Sequence, residues 1–370
     1  MFDMNNVDDV RQVIAIGLVV AGFLLNTNRH LKAIELCKEC LLIVKDTAGL
    51  KDKKINKSLY KRIYFTMWSA CRIVGDNTSA IRCTAKILQI HHESGERFEE
   101  CELSINLAVM FLHESKYAQA KQISEKALLI SREISHRKAE ACCYRNLGMV
   151  YASVSKYYKA RDNFERSLVI NKEIKDRNGE ASCYADLGIV YRSAGQYENA
   201  TEHLEKSLAI QKEIGDRNGE ARSYRNLGNV YRSVGEYEKA NEHFQKSLAI
   251  NKEIGDRNGE ATCYENLGLV YLSFGKYEKA KEHLEKSLAI RKEIGDRNGE
   301  ADGYTNLGIV YNSVGESERK VMLTKGPICY RLIIAPAMEF LEGPEIIIVP
   351  DRLILERKVI PNENALLFYF

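Results

Sequence analysis

Cysteines spaced like metal ligands are the first residues in this 370-residue chain that could carry chemistry. Cys37 and Cys40 form a CxxC pair, and His30 lies close by in the sequence. A zinc site needs four ligands, however, and neither a second CxxC pair nor a fourth ligand accompanies these three residues. Because a free cysteine behaves as a small apolar residue, we expect Cys37 and Cys40 to pack in the core of a helical segment.

Other cysteines and histidines recur at multiples of 40 residues. Cys143, Cys183 and Cys263 share one such slot with Ser223 and Gly303, which indicates a place for a small packed side chain. Three histidines recur beside glutamates in the same way, namely His203, His243 and His283. No GxxxxGKS/T, GxSxG or HExxH pattern is present, so we predict no enzyme, no catalytic residue, no metal site and no cofactor.

Composition excludes several classes of function. Lysine plus arginine number 54 and aspartate plus glutamate 51, so the chain lacks the basic excess of a dedicated nucleic-acid binder. A hydrophobic fraction of 45% supports a folded core. The apolar run at residues 13–25 is shorter than the ~20 residues that span a bilayer. With no recognisable secretory signal, we expect no membrane contact, reduced cysteines and a cytoplasmic location.

An internal repeat predicts the helices that must position the residues of any functional site. Residues 221–260 and 261–300 are identical at 29 of 40 positions. Each copy predicts two helices, over repeat positions 1–14 and 17–33, with a glycine such as Gly235 between them. In the GDRNGE segment between copies, we expect Gly255 to cap one helix and Asp256 to begin the next. One copy cannot bury both of its faces, so neighbouring copies must stack.

The repeat resembles the tetratricopeptide repeat. The resemblance rests on Tyr224, Leu227–Gly228, Tyr231, Gly235, Tyr237, Ala240, Phe244 and Leu248 and on their equivalents one period away. The period is longer than usual and is similar to the extended form found in LGN-type polarity adaptors and in proteins like tetratricopeptide repeat protein 28. The resemblance implies an all-α, right-handed superhelix of about seven helix pairs. The change of composition after the repeats predicts a short incomplete α/β segment that follows it.

The sequence predicts four segments along the chain. They are an N-terminal lead-in (1–13), a repeat array (14–316), a linker (317–326) and a C-terminal segment (327–370). Repeat units start near residues 14, 61, 101, 141, 181, 221 and 261, with a half unit at 301.

Comparing the repeats with one another indicates a binding face. From residue 141 onward, positions 4, 7, 8, 11 and 20 hardly change, whereas positions 2, 5, 9 and 12 vary. The variable positions share one helical face, opposite the packing face, and in stacked helix pairs such a face lines a peptide-binding groove. The residues that we expect to line it are Arg145, Arg192, Arg222, Arg225, Asn226, Asn229, Arg232, Leu269 and Leu272.

These side chains favour an extended, acidic and apolar segment of another protein. Guanidinium groups pair with carboxylates, and asparagine amides can hold a peptide backbone. We therefore expect a non-enzymatic adaptor, with cell-division or signalling complexes implied by the polarity-adaptor resemblance. Binding of RNA is an alternative, but Asp186, Glu265 and Asp302 interrupt the basic surface that it needs.

The C-terminal segment differs in composition from the repeats. All five prolines lie beyond residue 325, and EIIIVPD and RLILERKVI predict short strands. The stretch from Tyr330 to Asp351 is similar to the start of a CHAT domain, a caspase-like module. No histidine follows His283 and the last cysteine is Cys329, so the segment lacks the family's catalytic pair. The first alternative function is therefore the sensor half of a CHAT protease that lacks this catalytic pair, and RNA binding is the further alternative.

Overall fold

The computed structural model describes residues 6–46, 53–314, 345–349 and 352–356. Within these ranges the chain forms seven helix pairs, a fifteenth helix and a pair of strands. The helices are α1 Val7–Asn26, α2 His30–Asp46, α3 Lys53–Val74, α4 Asn77–Ser94, α5 Arg97–His113, α6 Tyr117–Glu133, α7 Arg137–Ser153, α8 Tyr157–Glu173, α9 Arg177–Ser193, α10 Tyr197–Glu213, α11 Arg217–Ser233, α12 Tyr237–Ile254, α13 Arg257–Ser273, α14 Tyr277–Glu293 and α15 Arg297–Val314.

Helices that follow one another in the chain pack against one another. The chain divides into two compact units, Met1–Ile210 and Gln211–Phe370, and the boundary falls inside α10. In the first unit each helix from α1 to α8 packs on the next one, and in the second unit the same holds from α11 to α14. This arrangement confirms the predicted all-helical array of stacked helix pairs.

The first helix of each pair begins before repeat position 1, the start assigned from the apolar pattern. Helix α11 starts at Arg217, four residues before the start assigned from the sequence, so most of the GDRNGE segment is helical. The carboxylate of Asp216 accepts a hydrogen bond of 2.9 Å from the backbone N–H of Gly219 and fixes this first turn. Asp256 caps α13 through Gly259 in the same way, as predicted.

Glycines on the first helix of a pair let the two helices approach closely. A Cβ atom built on Gly228 would lie 2.7 Å from Cε1 of Phe244, which is below contact distance. Phe244 and Leu227 are 0% and 1% exposed, so the predicted packing slots are filled as expected. Burial of large apolar side chains at these slots contributes about 1.5–3 kcal/mol each.

The turns between helices require a left-handed residue. Gly235 has φ +84° and Gly255 has φ +72°, which glycine adopts without a steric penalty. At equivalent places Ser155 and Lys175 take φ +56° and +58°. A residue with a Cβ is strained there by about 1–2 kcal/mol.

The C-terminal segment contains an antiparallel strand pair. Strand β1, Glu345–Val349, pairs with β2, Arg352–Glu356, with Ile347 opposite Ile354. The predicted linker at 317–326 lies outside the described residues, as does the rest of 327–370. The assignment of this segment as the start of a CHAT domain therefore stays a prediction. In the described parts of the chain, no helix has both the length and the hydrophobicity needed to span a membrane.

Candidate functional site

The predicted groove residues all lie on the first helix of a pair. In the first unit Arg145 is on α7 and Arg192 is on α9. In the second unit Arg222 is exposed, and the other predicted residues are half-buried. Helix α11 carries Arg222, Arg225, Asn226, Asn229 and Arg232, and helix α13 carries Leu269 and Leu272. The second unit thus holds seven of the nine predicted residues on two helices.

Arg145 forms an ion pair within the protein. Its Nε atom donates to Oδ2 of Asp186 at 2.6 Å. Burial opposes the charge on Arg145, but the Asp186 carboxylate outweighs it and raises the pKa of the guanidinium. From the sequence, Asp186 only interrupts a basic surface, and its pairing with Arg145, which joins residues 41 apart, was not predicted.

Arg225 stands at the same repeat position as Arg145 but has a different neighbour. The place of Asp186 is taken by Asn266, whose amide donates to the carbonyl of Thr262 on its own helix. Among the described residues, no carboxylate lies within 4 Å of the guanidinium groups of Arg222 or Arg225. Two arginines one helical turn apart therefore have no acidic partner in this unit.

A small polar cavity adjoins these two arginines. It has a volume of ≈ 100 Å³ and is also lined by Ser247, Asn251 and Asp256 and by the first turn of α13. The Asp256 carboxylate is already bonded to the N–H of Gly259. Two cationic side chains against one committed carboxylate leave a net positive pocket beside the positive end of a helix dipole. This arrangement suits an incoming carboxylate.

The next repeat shows the same corner closed by an internal cation. Arg291 donates to Oε2 of Glu265 at 2.8 Å and to Oδ2 of Asp296 at 2.5 Å. The amide of Asn306 also donates to Glu265, at 3.0 Å. Here the protein supplies both charges, because Arg291 replaces the residue equivalent to Asn251. The open corner at Arg222 and Arg225 is thus a departure from its neighbour.

The remaining groove residues are placed as follows. Leu272 packs at the margin of the cluster formed by Ala280, Leu284 and Leu288, so only part of its surface is available. Leu269 is half-buried on α13. Asn226, Asn229 and Arg232 continue along α11 from Arg225. The apolar part of the predicted surface is therefore smaller than the sequence suggests.

Sequence reasoning missed a second cavity, in the first unit. It has a volume of ≈ 680 Å³ between α3, α4 and α5, and Trp68 and Thr84 both line it. The repeat itself carries the signal: Trp68 stands in the slot of Gly228, and Thr84 in the slot of Phe244. In this repeat the first helix has the large residue, Trp68, and the second helix has the small one, Thr84. The second helix therefore lacks the aromatic ring that fills the equivalent space in the later repeat.

Near this cavity, His91, Glu96 and Glu99 bring three ligand atoms within 4.8 Å of one another. Glu96 is already bonded to the Lys61 ammonium at 2.7 Å and to Nδ1 of His91 at 2.6 Å. The hydrogen bond from Lys61 chiefly lowers the pKa of Glu96. An ion pair accounts for the cluster, and a metal ion would have to displace the ammonium.

The cysteines considered from the sequence lie in the core. Cys37 and Cys40 are 0% and 3% exposed, and burial raises the pKa of the Cys37 thiol to about 12. Cys183 and Cys263 are fully buried, and the Cys183 thiol donates to Oγ of Ser167 at 3.2 Å. Protonated, buried thiols are poor nucleophiles and metal ligands. The predicted packing role is confirmed for these cysteines.

The recurring histidines belong to the repeat packing. The His243 ring lies between those of Tyr231 and Tyr224 in a tilted arrangement, with ring centroids 4.9 and 6.0 Å away. Its Nδ1 lies 2.8 Å from the carbonyl oxygen of Lys239. His203 and His283 have the same surroundings in their own repeats.

Stacked helix pairs with a 40-residue period define a helical-repeat protein. The tetratricopeptide repeat profile matches residues 99–168, 139–213, 180–253, 219–293 and 259–319. These matches cover more than half of the chain, which therefore belongs to the tetratricopeptide repeat family. No curated protein matches the chain.

Several solved structures share the fold. The apo form of the quorum sensor NprR from B. thuringiensis is 18% identical, with a TM-score of 0.60 over 82% of this chain and 83% of that one. Aspartyl phosphate phosphatase F from Bacillus subtilis is 12% identical, with a TM-score of 0.56 over 87% and 97%. A Rap protein complexed with Competence and Sporulation Factor is 14% identical, with a TM-score of 0.52 over 82% and 99%. At these identities the likeness shows the fold alone.

Proposed function

We propose that this chain is a non-enzymatic adaptor that binds extended, acidic and apolar segments of partner proteins. The single observation that carries the proposal is the unpartnered pair Arg222 and Arg225. In the described chain, equivalent corners are closed by Arg145 with Asp186 and by Arg291 with Glu265. A partner's carboxylate would complete the corner that the chain leaves open.

The two guanidinium groups of Arg222 and Arg225 are better suited to bind a carboxylate than an isolated positive charge is. Guanidinium groups bind carboxylates through two parallel N–H···O bonds, which fix orientation as well as charge. Asn226 and Asn229 follow on α11 and can bond the partner's backbone. Leu269 and Leu272 offer apolar contact on α13, the next first helix of a pair. The partner segment would therefore carry an acidic residue followed by an apolar one.

Membership of the tetratricopeptide repeat family supports a role in protein interaction. The Rap protein of the same fold is complexed with Competence and Sporulation Factor, and we propose that this chain also binds a ligand. We also propose that the chain acts in cell-division or signalling complexes, the role implied by its resemblance to polarity adaptors. Arg192 lies in the other unit, and Arg145 is already ion-paired, so neither is needed for the proposed contact.

The proposal is tested by selecting peptides from a random 12-residue phage library on the full-length protein. We expect enriched sequences to contain Asp or Glu within a few residues of Leu, Ile or Phe. The double variant Arg222→Glu/Arg225→Glu should weaken the selected peptides at least about tenfold, because it replaces attraction by repulsion. The matched control Lys239→Glu/Lys246→Glu makes the same charge change on α12 and should leave binding unchanged. Selected peptides without acidic residues, or equal loss in both variants, would contradict the proposal.

A further inference from the structure

The cavity between α3, α4 and α5 has the size and walls of a binding site. Its volume of ≈ 680 Å³ lies within the range of about 300–1,000 Å³ typical of ligand sites. Two aromatic side chains on its walls are unusually exposed, Phe65 at 59% and Phe98 at 54%. The Phe65 ring lies 5.5 Å from that of Trp68. Aromatic surface of this kind favours an apolar side chain of a partner.

The charges around this cavity differ in sign from those at Arg222 and Arg225. Three carboxylates line it, from Glu99, Glu102 and Glu114, against one guanidinium, from Arg72, and two imidazoles, from His91 and His113. Among the described residues, no cationic group lies within 4 Å of the Glu99 or Glu114 carboxylate, and Glu102 lies 3.2 Å from His136. The excess of acidic groups is complementary to a basic partner.

Arg72 is occupied within the protein and does not neutralise these carboxylates. Its guanidinium lies over the ring of Trp68, 5.2 Å from the centroid. The stack keeps the positive charge on the α3 wall, whereas Glu99 and Glu102 lie on α5. The acidic wall therefore remains open to a cation from outside.

We propose that this cavity is a second docking site, which takes a protein segment with a lysine or arginine next to a large apolar residue. The apolar residue fills the space between Phe65, Trp68 and Phe98, and the cation reaches Glu102 and Glu114. The site lies within one unit and differs in charge preference from the acidic-segment site proposed on α11. It follows from the exchange of large and small residues at Trp68 and Thr84.

Trp68 is the single tryptophan of the chain, so its fluorescence reports on this cavity alone. The full-length protein would be titrated with three pools of 12-residue peptides that lack tryptophan and tyrosine. The basic-apolar pool contains Lys or Arg with Leu or Phe, the acidic-apolar pool contains Glu in place of the basic residues, and the basic-polar pool contains Ser in place of the apolar ones. We expect only the basic-apolar pool to change the Trp68 emission in a saturable manner.

Two variants test the assignment of charge and aromatic wall. Glu102→Lys/Glu114→Lys should need at least about tenfold more of the basic-apolar pool. Phe65→Ala, at an exposed position, should weaken the same response without loss of helical circular dichroism. The matched control Glu125→Lys/Glu165→Lys changes two exposed carboxylates elsewhere in the unit and should respond like the wild type.

Three outcomes would overturn the proposal. They are a response of equal size to the acidic-apolar pool, equal weakening by the control variant, and no response to any pool. The Arg222→Glu/Arg225→Glu variant should leave the Trp68 response unchanged. Failure of this proposal is therefore distinguishable from failure of the acidic-segment site.

Discussion

The Nε atom of Arg145 lies 2.6 Å from Oδ2 of Asp186, one repeat period and one residue further along the chain. Arg225 occupies the equivalent position of a later repeat and meets Asn266 where Arg145 meets Asp186. One substitution thus separates an arginine bound within the protein from one available to a partner. Sequence identity between repeats conceals this difference, since Asn266 and its equivalents look like ordinary members of the repeat.

Restoring the acid at position 266 should close the proposed binding corner. Asn266→Asp would give Arg225 an internal carboxylate, as Asp186 does for Arg145. We expect acidic peptides to bind this variant several-fold more weakly, because the external carboxylate must compete with an internal one. Fluorescence polarisation with a selected, labelled peptide measures the change.

Asn266→Gln is the matched control for this prediction. It lengthens the side chain without adding a charge, so it should retain the affinity of the wild type. Unchanged binding by Asn266→Asp would remove Arg225 from the site.

The contact between Gly228 and Phe244 predicts a position-specific cost of adding a methyl group. The Cβ of Gly228→Ala would lie 2.7 Å from the phenylalanine ring, so one of the two helices must shift. Overpacking of this kind destabilises a core by about 1–3 kcal/mol. Urea denaturation followed by circular dichroism measures the loss.

Gly308 provides the internal control for this prediction. It holds the same repeat position in α15, but among the described residues no atom lies within 4 Å of a Cβ built there. Gly308→Ala should be neutral or stabilising by up to about 1 kcal/mol, because alanine favours the helix. If both variants lose the same stability, the helix contact is not the cause.

The sequence predicted the helix pairs and their turns because these depend on local and periodic signals. Gly235, Gly255 and Asp256 act within one turn of their own position, and the repeat period supplies the neighbours. The apolar pattern alone placed the helix starts four residues too late, since the first turn has no apolar signal. The N-cap aspartate marks the start, because Asp216 accepts from Gly219 just as Asp256 accepts from Gly259.

The site was less predictable than the fold because it depends on pairs of residues in different repeats. Whether an arginine on the variable face is available depends on a residue 41 positions away, as with Arg145 and Asp186. The cavity between α3, α4 and α5 is lined by both Trp68 and Thr84, which differ together from Gly228 and Phe244 of the later repeat. Such paired changes can be recognised in the sequence only when two contacting repeat positions are compared together.

Lys175 predicts a stabilising substitution. It takes φ +58° at the turn where later repeats have Gly215, Gly255 and Gly295. Lys175→Gly removes a strain of about 1–2 kcal/mol, offset in part by the greater freedom of glycine in the unfolded chain. We expect a net gain of about 0.5–1 kcal/mol, measured by urea denaturation or by slower hydrogen exchange in α8 and α9.

Lys175→Ala separates backbone strain from loss of the lysine side chain. Alanine keeps the Cβ atom and the strain, so its stability should stay near that of the wild type. A gain equal to that of glycine would assign the effect to the side chain instead.

The helix caps predict how stability depends on pH. The N–H of Gly179 donates to the Asp176 carboxylate at 2.8 Å and lowers its pKa below 3.8, aided by the Lys138 ammonium at 3.4 Å. A carboxyl whose pKa is lower in the folded state stabilises the fold above its unfolded pKa, and this contribution is lost as the pH falls through the folded value. Thermal melting between about pH 5 and about pH 3 should therefore show a falling midpoint. In Asp176→Asn the amide oxygen keeps the cap but does not titrate, so this variant should melt lower than wild type at neutral pH and approach it at about pH 3. Parallel curves for the two proteins over this range would show that the Asp176 cap does not contribute to the acid sensitivity.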